Sequence, residues 1–264
     1  MKLLTTKNAK IEKSLELGWL SAILHLAPAD SSGYEVCFWR TKGCTKACNN
    51  TAGRGRFTDT QLARIKKTRW LFEDRESFIT QLCKDIEAVA RKADRMGVKP
   101  AIRLNGTSDL PWYSRKFGAI IQRYPEITFY DYTKSISACK PNSVARKLDN
   151  YTLVFSRSES NLALCKRAIK YGVNVAVPFE LDDNKELPTE YMGIPVVNGD
   201  VHDLIFLHPH PRFIGLKYKV GFDFDLGKMI KRDESGFTIL YDSCSGCWQD
   251  PQVNRPASLN ILNS

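Results

Sequence analysis

The chain has 264 residues, 43% hydrophobic and 26% charged, with a formal net charge of +10 and a pI of about 9.2. That length supports a real core, and no apolar run approaches the roughly 18 residues of a membrane span, so no membrane-spanning helix is expected. The first residues lack the apolar centre of a secretory signal, so a cytoplasmic protein is expected. Its eight cysteines then serve as metal ligands and buried thiols rather than as a disulfide scaffold.

In chain order, short β-rich runs alternate with polar loops and helical segments. A first strand is expected over 21–26, before a loop that holds Cys37, Cys44 and Cys48. A long helix is expected over 77–96, because Phe78, Leu82, Ile86, Val89 and Ala93 recur at intervals of three and four. Gly97 ends it and Pro100 prevents its restart. A strand over 101–104 leads into the polar turn 105–109. Pro111 suits the first turn of another helix, on which Phe117, Ile120, Ile121 and Tyr124 share a face. Further strands are expected over 127–130, 151–155, 174–178, 194–197 and 213–218. A helix carrying Leu162, Cys165 and Ile169 inward falls between the second and third of these, capped by Gly172.

This alternation predicts an α/β fold with a mainly parallel sheet: a (β/α) barrel, complete or partial, over 1–230, with a C-terminal extension over 231–264. An open doubly wound sheet is the alternative. No Gly-x-Gly-x-x-Gly turn follows the first strand, which disfavours dinucleotide binding. Almost every strand ends in ionisable or amide side chains, which a barrel gathers on its C-terminal face. Asp131, Lys134, Glu159 and Lys217 are therefore the candidates for handling protons and charge. Asn105, Thr107, Asp109 and Ser156 are the candidates for positioning cofactor and substrate.

Cys37, Cys44 and Cys48 are the strongest chemical signal. Their loop is otherwise polar, with Thr41, Lys42, Thr45 and Lys46, and offers little core for three thiols to share. Thiolates select soft or borderline metals, and three on a 4Fe–4S cluster leave one iron open to a small molecule. Zinc is the rival metal. Cys244-Ser-Gly-Cys247 can complete a closed four-thiolate site with Cys44 and Cys48, supply a fourth cluster ligand, or form a redox pair. Cys83 and Cys165 lie on apolar helix faces and read as core. Arg54, in Gly53-Arg54-Gly55-Arg56, is a candidate anion-binding residue. His202 beside Asp203 is a candidate base, the pair His208 and His210 are candidate ligands, and His25 reads as a core histidine. The positive charge, with Trp39, Arg40, Arg54, Arg56, Lys66, Lys67, Arg69 and Trp70, supports nucleic-acid binding or processing as the second reading. A non-catalytic interaction factor is the third.

Several runs together resemble a bacteriophage-encoded protein family of unassigned activity. They are Cys37…Gly43-Cys44…Cys48-Asn49-Asn50-Thr51-Ala52-Gly53-Arg54-Gly55, Arg103-Leu104-Asn105-Gly106-Thr107-Ser108-Asp109, the segment 129–134, the segment 155–161, Asn174-Val175-Ala176-Val177, and Gly215-Leu216-Lys217. The resemblance runs from about Lys10 to Lys219. That family is similar in architecture to radical S-adenosylmethionine proteins. Taken with the three thiols, this makes the leading expectation an enzyme with a 4Fe–4S cluster on Cys37, Cys44 and Cys48, S-adenosylmethionine at its open iron, and an unknown small-molecule or nucleic-acid substrate. Two departures stand out. Cys-x6-Cys-x3-Cys is wider than the usual Cys-x3-Cys-x2-Cys, and Asn105-Gly106-Thr107 stands where a Gly-Gly-Glu would follow the second strand.

Overall fold

A computed structural model describes residues 1–6, 9–181 and 185–218, with short strands at 222–223, 228–229, 239–241 and 248–249. The chain opens with β1 (Leu4–Thr5), α1 (Ala9–Glu16) and β2 (Trp19–Leu24), then passes through the cysteine-bearing turn α2 (Lys42–Lys46). Two long helices follow, α3 (Thr58–Glu73) and α4 (Arg75–Arg95), and then β3 (Lys99–Arg103), α5 (Ile120–Arg123), β4 (Thr128–Thr133) and α6 (Ile136–Cys139). The remainder is β5 (Tyr151–Ser156), α7 (Leu162–Lys170), β6 (Val175–Glu180), β7 (Glu190–Tyr191), β8 (Ile194–Asn198) and β9 (Phe213–Lys217). Short strands β10 (Phe222–Asp223), β11 (Lys228–Met229), β12 (Ile239–Tyr241) and β13 (Trp248–Gln249) follow.

The main sheet runs β1-β2-β3-β4-β5-β6-β9-β8-β7. The strands from β2 through β8 in that order are mutually parallel, while β1 and β7 pair antiparallel at the two ends. From β2 to β6, spatial order follows chain order, so right-handed crossovers place the helices on one face. That winding is the one a barrel uses, but the sheet does not close. Among the described residues, β1 covers the free edge of β2, and β7 covers that of β8. Those are the edges that closure would have to join. The expected α/β class with a mainly parallel sheet therefore holds, and the closed barrel is corrected to an open sheet. From the expected extension, β12 pairs in parallel with the end of β6.

Strand alternation sorts the side chains between two faces. Ile102, Phe129, Leu153, Phe155, Val175, Val177 and Phe179 point to the helical layer. There α4 contributes Phe78, Leu82, Ile86, Val89 and Ala93, and α7 contributes Cys165 and Ala168. The opposite face carries Ala101, Tyr130, Val154, Ala176 and Ile214, plugged at one end by Leu204 and Ile205. Above that plug, the same face opens into a cavity.

The long helix forms as its apolar spacing predicts. Its N-cap is Asp74, which accepts the Ser77 amide at 3.2 Å, and Gly97 follows its end at φ +66°. The helix expected after Pro111 does not form. Gly118 and Ala119 take φ of +76° and +47° and leave only the four-residue α5. Helix α3 was not legible, because only Thr68 and Leu71 are buried along it and no apolar stripe develops. Among the described residues, no helix is long and apolar enough to cross a membrane.

Candidate functional site

The C-terminal ends of β3, β4, β5, β6 and β9 meet the cysteine loop around a cavity of about 260 Å³. Arg103, Tyr132, Ser156, Ala176, Pro178 and Leu216 line it, all in register on the face opposite the helices. Cys37, Cys44 and Cys48 line it from the other side.

Each sulfur has a hydrogen-bond donor. The Ala29 amide donates to Cys37 Sγ at 3.4 Å, the Asn50 amide donates to Cys48, and the Lys134 side chain donates to Cys44. Burial pushes the Cys37 thiol up to about 12, against the pull of the Ala29 amide. Burial also raises Cys48, partly offset by the Asn50 amide. These thiols hold their protons until something displaces them. Burial draws Lys134 down, but Cys44 and Asp109 beside it raise it further, so it stands above an ordinary lysine. Among the described residues, no group of three or more His, Cys, Asp or Glu side chains is arranged to hold a metal ion. The three thiols share a cavity without closing on one point.

The loop is anchored from three directions. Glu159 accepts Thr41 Oγ1 at 2.7 Å and the Gly43 amide at 2.8 Å, which fixes the start of α2. Asn50 Nδ2 donates to Gln61 at 2.7 Å, and Arg64 of α3 donates to the Asn50 side chain. A Cβ on Gly55 would collide with the Asn50 carbonyl, so the Asn-Asn-Thr-Ala-Gly-Arg-Gly run is a packing device that seats the loop on α3. On the third side, the Asp109 amide donates to Val36 O at 2.8 Å, and Thr107 Oγ1 donates to Leu26 O.

The turn after β3 is organised by Asn105. Its Oδ1 accepts from Ser108 Oγ, the Leu110 amide and Trp112 Nε1 at 2.9–3.2 Å, and its Nδ2 donates to Leu110 O at 3.0 Å. Gly106 lies so close to β2 that a Cβ would meet Leu24 O and His25 Nδ1, each at 2.6 Å. Glycine is thus required where the Asn105-Gly106-Thr107 run crosses the first parallel strand.

The cavity brings together Asn105, Thr107, Asp109, Lys134, Ser156 and Lys217 with the three cysteines. Asp131, Glu159 and Arg54 are not among its lining residues. Asp131 lies inside β4, on the helix side. There it accepts the Asn105 amide at 2.7 Å and the Tyr151 hydroxyl at 3.1 Å, and burial pushes it up to about 7. The expected strand end at 130 fell short of the observed end at Thr133, and alternation turns Asp131 away from the mouth. Glu159 is spent on the cysteine loop, and Arg54 is exposed on a 3-10 turn. Asp109 accepts the Lys134 amide at 2.8 Å, and burial pushes its carboxyl up to about 6.

Sequence reasoning missed the cavity floor. Arg103 Nη1 donates to both oxygens of Asp203 at 3.2 Å, and its guanidinium lies 4.6 Å from the Tyr132 ring centroid. Tyr130 donates its hydroxyl to Asp203 at 3.2 Å. The usable signal was an arginine at the end of the apolar run Ala101-Ile102, a cation that burial obliges to find a carboxylate. Arg157, buried behind Ser156, also lines the cavity. The histidines are not among its lining residues. His202 Nδ1 accepts the Leu204 amide at 3.2 Å and its ring stacks on His208 at 5.0 Å. Burial and the neighbouring Arg64 and Arg103 push His25 down to about 3. Cys165 is buried as expected and Cys83 is half-buried, while Cys244 and Cys247 lie outside the described residues.

No curated protein and no solved structure matches the chain. A family model described as gene product 88 matches residues 2–249, beyond the expected limit near Lys219 and across both Cys244 and Cys247. The match covers all but the first residue and the last fifteen, and the chain belongs to this phage-type gene product 88 family.

Proposed function

We propose that the protein is an iron–sulfur enzyme of radical S-adenosylmethionine type, with Cys37, Cys44 and Cys48 as the cluster ligands. The observation that carries this reading is the arrangement of the thiols. Three cysteines of one loop line a single cavity at the C-terminal ends of a parallel sheet, and each sulfur receives a hydrogen bond. Donors to sulfur favour the thiolate and tune a cluster. A cluster distributes its thiolates over separate irons, so its ligands stand further apart than those of one ion. Three thiolates on one loop are the donor type such a group takes, and the sequential parallel order of β2 to β6 is the order a partial barrel would use.

When bound, a cluster held by Cys37, Cys44 and Cys48 would supply one electron, itself received from an external reductant, to a ligand such as S-adenosylmethionine. The protein's own side chains do the rest. Asp203 fixes Arg103 against Tyr132, which presents a cationic edge and an aromatic face to the cavity. Asp109 and Lys134 sit side by side and can hold or pass a proton next to Cys44. Ser156 and Lys217 can orient polar groups of the substrate, while Pro28, Pro178 and Leu216 exclude water.

Anaerobic purification followed by iron and sulfide analysis tests the reading. Roughly four irons and four sulfides per chain are expected, with a visible absorption that changes when S-adenosylmethionine is added. A colourless protein that takes up zinc and no iron after anaerobic reconstitution would overturn it.

A further inference from the structure

We propose that the cysteine loop is also a docking surface for single-stranded nucleic acid. Residues 36–58 contain five cations and no carboxylate. Glu35 and Asp30 engage Arg40, at 2.9 and 3.2 Å. Lys42, Arg54 and Arg56 stay exposed. The same stretch displays three large rings: Phe38 and Phe57 are each 52% exposed, and Trp39 is 38% exposed. Phe38 meets Trp39 edge-on at 6.1 Å, and Arg56 lies 5.9 Å from the Phe57 centroid.

Exposed rings interleaved with the exposed cations Lys42, Arg54 and Arg56 match a polyanion that carries flat apolar groups at short intervals. A single strand has that chemistry: bases stack on the rings and phosphates meet the cations. An amphipathic membrane helix would segregate its rings on one face, but these rings sit on loops and 3-10 turns. A duplex needs an element that enters a groove, whereas splayed bases need only the rings. Phe38 and Trp39 directly follow Cys37, so a strand held here runs beside the cavity that Cys37 lines.

This surface goes beyond the proposed chemistry, and its readout is binding, so it stands or falls separately from the cluster. Anaerobically purified full-length protein is titrated into fluorescent oligothymidylate of about 15 nucleotides, within the span of such sites. Affinity should exceed that for a duplex of the same length and fall linearly with log salt concentration. Replacing both Phe38 and Trp39 by alanine should weaken binding by about 100-fold, roughly tenfold per ring. The conservative W39F should retain most of the affinity. The variant K42Q/R54Q/R56Q should lower the log–log salt slope by about 2, near 0.7 per cation. All substituted side chains are on the surface, and matching far-ultraviolet dichroism confirms the fold. Unchanged affinity in both multiple variants would overturn the inference. So would equal binding of polyglutamate or duplex, or binding to anionic vesicles without binding to the oligonucleotide.

Discussion

Glu159, on the loop after β5, accepts the backbone amide of Gly43 at 2.8 Å. A carboxylate from one strand end thereby fixes the short turn that carries Cys44. Its second oxygen takes the Thr41 hydroxyl, and Thr41 in turn accepts the Cys44 amide at 3.2 Å. The geometry of the cysteine cavity therefore depends on a residue more than 100 positions away in sequence.

Glu159→Ala should release α2 and cost about 2 kcal/mol, as expected for hydrogen bonds to a charged group. Cys44 should then react faster with iodoacetamide while buried Cys165 stays protected, read by mass spectrometry. Glu159→Gln, which keeps one acceptor, should lie between. Equal alkylation rates in all three proteins would show that Glu159 does not hold the loop.

Single Cys37→Ala, Cys44→Ala and Cys48→Ala variants should each lose most of the iron found in the parent after anaerobic purification. Cys83→Ala and Cys165→Ala should keep it, because both side chains pack in the helical layer. Iron retained in all three loop variants would remove the loop as the metal site.

Removal of one partner from a buried ion pair leaves the other charge stranded. Asp203 is 5% exposed at its side chain and Arg103 is 17% exposed, and the pair supports the cavity floor. Asp203→Ala should therefore destabilise the protein by about 3–5 kcal/mol, measured by urea unfolding. A loss below about 1 kcal/mol, the range of exposed pairs, would mean that water compensates Arg103.

Asp131 titrates near neutrality, since burial pushes it up to about 7 against the pull of the Asn105 amide. Its folded value lies above its unfolded value, so the folded state holds the proton more tightly. The contribution to stability is full at acid pH, and is lost as pH rises through about 7. Stability should fall between about pH 4, the unfolded carboxyl value, and about pH 7. Asp131→Asn cannot ionise and should flatten that decline in urea titrations across the range. An equally steep decline in the variant would assign it to other groups.

The sequence by itself determined the alternation of strands and helices, the long helix α4 and the cysteine loop after the first parallel strand. These are local properties, set by apolar spacing and by glycine and proline at element ends. It also gathered Asn105, Asp109, Lys134 and Lys217 at strand ends, because a parallel sheet carries its loops to one edge. Only the tertiary structure decided that the sheet stays open, since that depends on β1 and β7 covering the edges that a barrel would join. Only it decided which polar residues face the cavity. Because β4 continues to Thr133, alternation turns Asp131 to the helix side, and hydrogen bonds commit Glu159 and Asn105 to holding loops rather than substrate. The Arg103–Asp203 floor joins residues 100 positions apart and becomes visible only once β3 and the segment before the Ile205 plug are packed together.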